Sequence, residues 1–85
     1  MNFEVKYDPK TEKQLEKLPK EIARRIVKKI SQVGENGYGI EPITNAPYGF
    51  KIRVGDYRVL VDLTYNPTVM WVRYIDLRSR IYKRM

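Results

Sequence analysis

Apolar and polar side chains alternate over residues 49–63, GFKIRVGDYRVLVDL, on both sides of a Gly55-Asp56 pair. Period-two alternation interrupted by a short glycine-containing link predicts two antiparallel strands joined by a tight turn. Phe50, Ile52 and Val54 fall on one face of the first strand, Lys51 and Arg53 on the other. Past the turn, Tyr57, Val59, Val61 and Leu63 continue the apolar face, so Arg58 is expected to leave it. The same alternation at Phe3, Val5 and Tyr7 predicts a short strand over residues 2–7 with one buried side. A further strand is expected near Thr68–Ile75, after a turn at Tyr65-Asn66-Pro67.

Between the first strand and the hairpin the period becomes helical. Asp8-Pro9 is a helix start, with Asp as N-cap and Pro at the first helical position. Thr11, Leu15 and Leu18 give the spacing of a helix over 9–18, which Pro19 interrupts because it disfavours helix in the residue before it. Ile22, Ala23, Ile26, Val27, Ile30 and Val33 form the apolar stripe of a second helix over 19–33, with Gly34 expected to end it. Lys20, Arg24, Arg25, Lys28 and Lys29 fall largely outside that stripe. Residues 34–49 hold four glycines and two prolines and read as a long connecting loop.

The order β-α-α-β-β-β predicts an α+β fold, with two N-terminal helices packed on one face of a mostly antiparallel four-stranded sheet. The 85 residues make one domain, 1–85. A domain this small buries only about 60% of its unfolded surface, so a thin stability margin is expected. The helices leave one sheet face free. Lys51, Arg53 and Arg58 are expected to make it a cationic concave surface.

Charge sharpens this picture. Seventeen Lys and Arg oppose ten Asp and Glu, a net charge of +7. Residues 1–47 carry a net +2 and residues 48–85 a net +5, an asymmetry that suits a polyanionic partner. With neither cysteine nor histidine, no zinc or redox-metal site and no thiolate chemistry are expected. No apolar run approaches the roughly 20 residues of a membrane span. Met1-Asn2-Phe3-Glu4 does not begin a signal peptide, and a soluble cytoplasmic protein is the expectation.

The run Tyr48–Val61, with an aromatic, Lys51-x-Arg53, then Val-Gly-Asp-Tyr-Arg and an apolar strand, resembles the central signature of the RelE/ParE toxin superfamily. Arg78-x-x-x-Tyr82, followed by Lys83 and Arg84, resembles the RelE-type C-terminal signature and favours that branch over ParE-like gyrase inhibitors. The strand, the helix pair broken at Leu18-Pro19 and the length agree, so the resemblance spans essentially the whole chain. It implies a toxin of a type II toxin–antitoxin system, an endonuclease that cleaves mRNA in the ribosomal A site without metal or cofactor and inhibits translation. It also implies silencing by a cognate antitoxin, expected to be acidic, in a hetero-oligomer.

By the resemblance, Lys51, Arg53, Arg58, Arg78 and Tyr82 are the catalytic set. Lys20, Arg24, Arg25, Lys28, Lys29, Lys83 and Arg84 are expected to meet RNA or the ribosome. Leu77 departs from the pattern, standing where many relatives carry a histidine. Proton transfer then falls to Lys51 as base and Tyr82 as orienting group or relay, side-chain types whose ordinary pKa lies near 10. The arginines suit a phosphorane, because a planar guanidinium grips two phosphate oxygens at once.

Each position also has a structural reading. Gly55-Asp56 serves the turn, and Arg58 is open to an ion pair with Asp56, Asp62 or Asp76. Trp71 and Arg73 are expected to pack or make a cation–π contact, Tyr82 to pack on the sheet, and the basic residues of the second helix to be solvated. Two other functions stand beside the nuclease. One is a toxin relative that acts by binding alone, either a gyrase inhibitor or a catalytically inactive homologue. The other is an RNA-binding module.

Overall fold

The computed structural model describes residues 2–44 and 48–77. Its elements run β1 (Glu4–Tyr7), α1 (Pro9–Lys17), α2 (Lys20–Asn36), β2 (Ile40–Pro42), β3 (Phe50–Val54), β4 (Tyr57–Tyr65) and β5 (Thr68–Leu77). They form one sheet in the order β1-β5-β4-β3-β2, antiparallel except where β1 pairs with β5 in parallel. The sheet thus has five strands, where four were expected. The fifth is β2, inside the segment read as a loop. It has three residues, and no alternation of that length separates a strand from a turn. It exists because β3 offers it a free edge, with Ile40 opposite Ile52 and Pro42 opposite Phe50.

Asp8 caps α1 by accepting from the backbone N–H of Lys10 (3.2 Å), with Pro9 in the first turn. α2 runs three residues past the predicted stop. Gly37, in the left-handed region at φ 77°, ends it, while Gly34 lies within the helix. Gly34 is there for closeness. A Cβ on it would lie 2.7 Å from Val5 Cγ2, and its carbonyl accepts the Phe3 N–H at 2.6 Å.

α2 covers one face of the sheet. Ile26, Ile30 and Val33 are buried against Ile52, Val54, Val59, Val61, Met70, Val72 and Ile75. α1 lies along β5 where β1 has ended and replaces it as an edge partner. Thr11 Oγ1 donates to the Val72 carbonyl at 2.9 Å. The Gln14 amide both donates to the Ile75 carbonyl and accepts the Ile75 N–H, each at 2.8 Å. Two backbone groups that β1 is too short to reach are satisfied in this way.

One irregularity sets which side chains meet solvent. The β4–β5 register shifts between Leu60, opposite Tyr74, and Val61, opposite Val72, leaving Arg73 as an extra residue in β5. A one-residue slip exchanges the faces of a strand. The bulge therefore keeps Val72 and Ile75 in the core and puts Trp71, Arg73 and Tyr74 all on the face away from α2.

Candidate nucleic-acid interface

The hairpin forms as its alternation requires. Val54 and Tyr57 close a two-residue link in which Gly55 adopts φ +58°. Ile52 and Val54 are buried, and Lys51 and Arg53 project from the face that no described helix covers. Register builds two transverse rows there. Glu41, Lys51, Leu60 and Tyr74 stand side by side across β2, β3, β4 and β5. In the next row Arg53 faces Arg58, which faces Asp76.

Like charges directly opposite one another on adjacent strands destabilise a sheet. A carboxylate from the neighbouring row and one within this row offset this. Glu41 Oε1 lies 3.6 Å from Arg53 Nε in a half-exposed ion pair, and Asp76, only 5% exposed, sits on the far side of Arg58. Of the three carboxylates open to Arg58, register gives Asp76 the facing position. Asp62 is engaged elsewhere, accepting Arg73 Nε at 3.1 Å and the Gly49 N–H at 3.0 Å. Arg73 also lies 3.5 Å from the Asp8 carboxylate, and its guanidinium sits 5.2 Å from the Trp71 ring centroid, with Lys6 at 5.5 Å. The cation–π contact expected at Trp71 and Arg73 is present.

The free face is therefore not uniformly cationic. Glu4, Glu41, Asp62 and Asp76 share it with Lys6, Lys51, Arg53, Arg58 and Arg73. The sequence reading named Asp62 and Asp76 as candidate partners of Arg58 but missed Glu4 and Glu41, whose neighbours come from register and not from nearby positions in the chain.

The structure brings Lys51, Arg53 and Arg58 together and keeps the α2 cations apart from them. Lys20, Arg24, Arg25 and Lys28 are exposed and Lys29 half-buried, all on the helix that backs the opposite face. Arg25 alone reaches toward the hairpin. Its Nη2 lies 3.2 Å from where a Cβ on Gly55 would be, beside a cleft of about 320 Å³ lined by Ile22, Ile26, Asp56 and Tyr57. Arg78, Tyr82, Lys83 and Arg84 lie outside the described residues. No cluster of metal-ligating side chains occurs among the described residues. No described helix is long and apolar enough to cross a membrane.

No protein-family model matches the sequence, and no curated protein is significantly similar to it. Solved structures are more informative. The RelE–RelB complex of Pyrococcus horikoshii aligns over 94% of this chain and 99% of its own, with a TM-score of 0.74 and 22% identity. The RelBE2 toxin–antitoxin complex of Mycobacterium tuberculosis gives a TM-score of 0.78 at 22% identity, covering 93% of this chain and 94% of that one. A mutant of the E. coli toxin RelE in the free state gives 0.75 at 22% identity, covering 98% and 93%. With two helices set against a mixed five-stranded sheet in the order these proteins share, the chain has the RelE fold.

Proposed function

We propose that this chain is the toxin of a type II toxin–antitoxin pair, and that it inhibits translation by cleaving mRNA in the ribosomal A site. One observation carries the reading. Lys51, Arg53 and Arg58 occupy adjacent rows on the open face of a RelE fold, with Arg53 directly opposite Arg58 in the register of β3 and β4. A sheet tolerates such a pair at a cost, and an anion bound between the two would remove it.

The chemistry needs no metal. The 2′-hydroxyl attacks its own phosphorus in line, the bond from phosphorus to the 5′-oxygen breaks, and a 2′,3′-cyclic phosphate and a free 5′-hydroxyl result. Lys51 takes the 2′-hydroxyl proton. Arg53, Arg58 and Arg78 bind the phosphorane oxygens, where removing one such donor typically costs about 10²–10³ in rate. Tyr82 orients the strand or passes the proton to the leaving oxygen. Lys20, Arg24, Arg25, Lys28, Lys29, Lys83 and Arg84 bind the ribosomal RNA backbone. The partner in the resting cell is an acidic antitoxin, as RelB accompanies RelE in the solved archaeal complexes.

A second reading, inhibition by binding without cleavage, draws on two observations. Leu77 stands where the family resemblance implies a histidine, and Arg53 already holds a carboxylate. Toeprinting on translating ribosomes with purified protein separates the two. New 3′ ends within A-site codons are expected. An unbroken ladder together with inhibited DNA supercoiling by gyrase would instead establish the binding reading.

A further inference from the structure

α1 carries five charged side chains after its first residue, and the fold sorts them by sign. Lys10, Lys13 and Lys17, spaced i, i+3 and i+7, line a cleft of about 460 Å³ together with Gln14 and Tyr74 of β5. Glu12 and Glu16 lie on the other flank, beside Tyr7, Leu15 and Val27. Among the described residues none of the three lysines is ion-paired, whereas Arg53 and Arg73 on the sheet both are. Within the described residues this flank therefore offers three lysines with no carboxylate in an ion pair with them.

The wall of the cleft is rigid. Gln14, in the middle of the lysine stripe, is held to Ile75 by two 2.8 Å hydrogen bonds, and Thr11 is held to Val72. Tyr74 faces the lysines only because the Arg73 bulge turns it out of the core. It also stands in the same transverse row as Lys51, two strands away across Leu60. Neighbouring strands lie about 4.8 Å apart, so roughly 10 Å of open sheet links the two backbones.

We infer that the Lys10–Lys13–Lys17 flank of α1, with Tyr74, is a second binding site for single-stranded RNA, holding the part of the strand that lies beyond Lys51. The lysines contact successive phosphates, and the Tyr74 ring receives a base. Lysines at helical spacing track a flexible backbone as point charges, and an aromatic plane beside them is the usual platform for an unpaired base. The inference rests on the RNA-directed reading above and assigns the path the RNA takes away from the hairpin arginines.

The test measures binding of a short fluorescein-labelled oligouridine to the full chain as salt is raised. Each single-strand phosphate contact contributes a log–log slope of roughly −0.7. Replacing all three lysines (Lys10→Gln, Lys13→Gln, Lys17→Gln) is expected to flatten the slope by about 2. Tyr74→Leu keeps an apolar cover over β5 and removes the aromatic plane. It is expected to weaken binding by roughly 5- to 150-fold with the slope unchanged. An unaltered slope in the triple variant would overturn the inference, as would failure of the unmodified protein to bind oligouridine. Loss of acidic-partner binding without loss of oligouridine binding would also overturn it, making the flank a protein-docking surface. Ribosome toeprinting of the unmodified protein reports separately on cleavage, so a toxin that binds RNA here without cutting it is recognised as such.

Discussion

Arg53 and Arg58 face each other across one rung of the sheet, yet their surroundings differ. Arg53 is exposed and paired with Glu41, and such half-exposed pairs are worth about 0–1 kcal/mol. Arg58 is half-buried beside a buried Asp76, so it is more firmly positioned. For Arg78 the proposed role lies in the transition state. Arg78→Ala should lower turnover by about two orders of magnitude or more, while ribosome binding stays nearly intact, since one cation among seventeen adds little to diffuse attraction. Arg78→Lys should recover only part of the rate, because a point charge lacks the bidentate fork. Equal loss of binding and cleavage on single-turnover measurement would make it an anchor and not a catalyst. Tyr7 offers a test of a different kind. Burial pushes its phenol pKa up from 10.0. The unfolded chain ionises first, so this contribution to stability is complete below pH 10.0 and is lost as pH rises through the higher folded value. Tyr7→Phe should therefore show a shallower decline in alkaline stability than the unmodified protein, measured by urea titration across that range.

The elements that could be read from the sequence were those whose signals are local. Alternation marked β1 and the hairpin, and Asp8-Pro9 marked the start of α1, because each depends on neighbours a few residues away. The errors share an opposite origin. Gly34 reads as a helix stop because glycine costs about 1 kcal/mol inside a helix, but Val5 needs the space and lies 29 positions away. Asp76 reads as the end of a strand because it is charged, and β5 nonetheless carries it past Ile75 to lie opposite Arg58. The bulge at Arg73 and the cleft at Tyr74 have no local signature at all. At the site, the three hairpin cations were legible, and so was Asp76 as one of three candidates for Arg58, whereas Glu41, which pairs with Arg53, was not. Gly34→Ala measures the long-range constraint directly. The gain in helix propensity, about 1 kcal/mol, should be outweighed by overpacking worth roughly 1–3 kcal/mol, for a net loss in denaturant stability. Adding Val5→Ala should recover part of that loss, a coupling that a double-mutant cycle would register.

Across the whole molecule, cations of the described residues gather on the α2 surface, the open sheet face around the hairpin and the lysine flank of α1. Among the described residues, the carboxylates in hydrogen-bonding or facing positions to these cations lie on the sheet face. An inhibitor of this protein therefore has most to gain by covering the regions that lack them. The acidic antitoxin proposed above should stabilise the fold by mass action, by about 2.7 kcal/mol when free antitoxin stands at 100 times its Kd, and so raise the unfolding midpoint. The stabilisation should shrink as salt is added, because much of the attraction is between exposed charges and is screened beyond about 10 Å at 0.1 M. Thermal unfolding of the mixture at several salt concentrations checks both statements. A midpoint indifferent to salt would mean that the partner recognises apolar surface instead.

The parallel pairing of β1 with β5 has a consequence for how the protein is made. Glu4 finds its partner in Val69 and Tyr7 in Val72, so β1 rests on a strand made much later, β5. Chains emerge N-terminus first, and contacts between distant residues form slowly. Until β5 has been translated, β4 lacks one neighbour, β1 has no place in the sheet, and α1 has no Val72 or Ile75 to grasp. The face that presents Lys51, Arg53 and Arg58 is therefore assembled only after β5 has been made, so on the reading proposed above a growing chain that has not yet reached Leu77 cannot engage RNA through it.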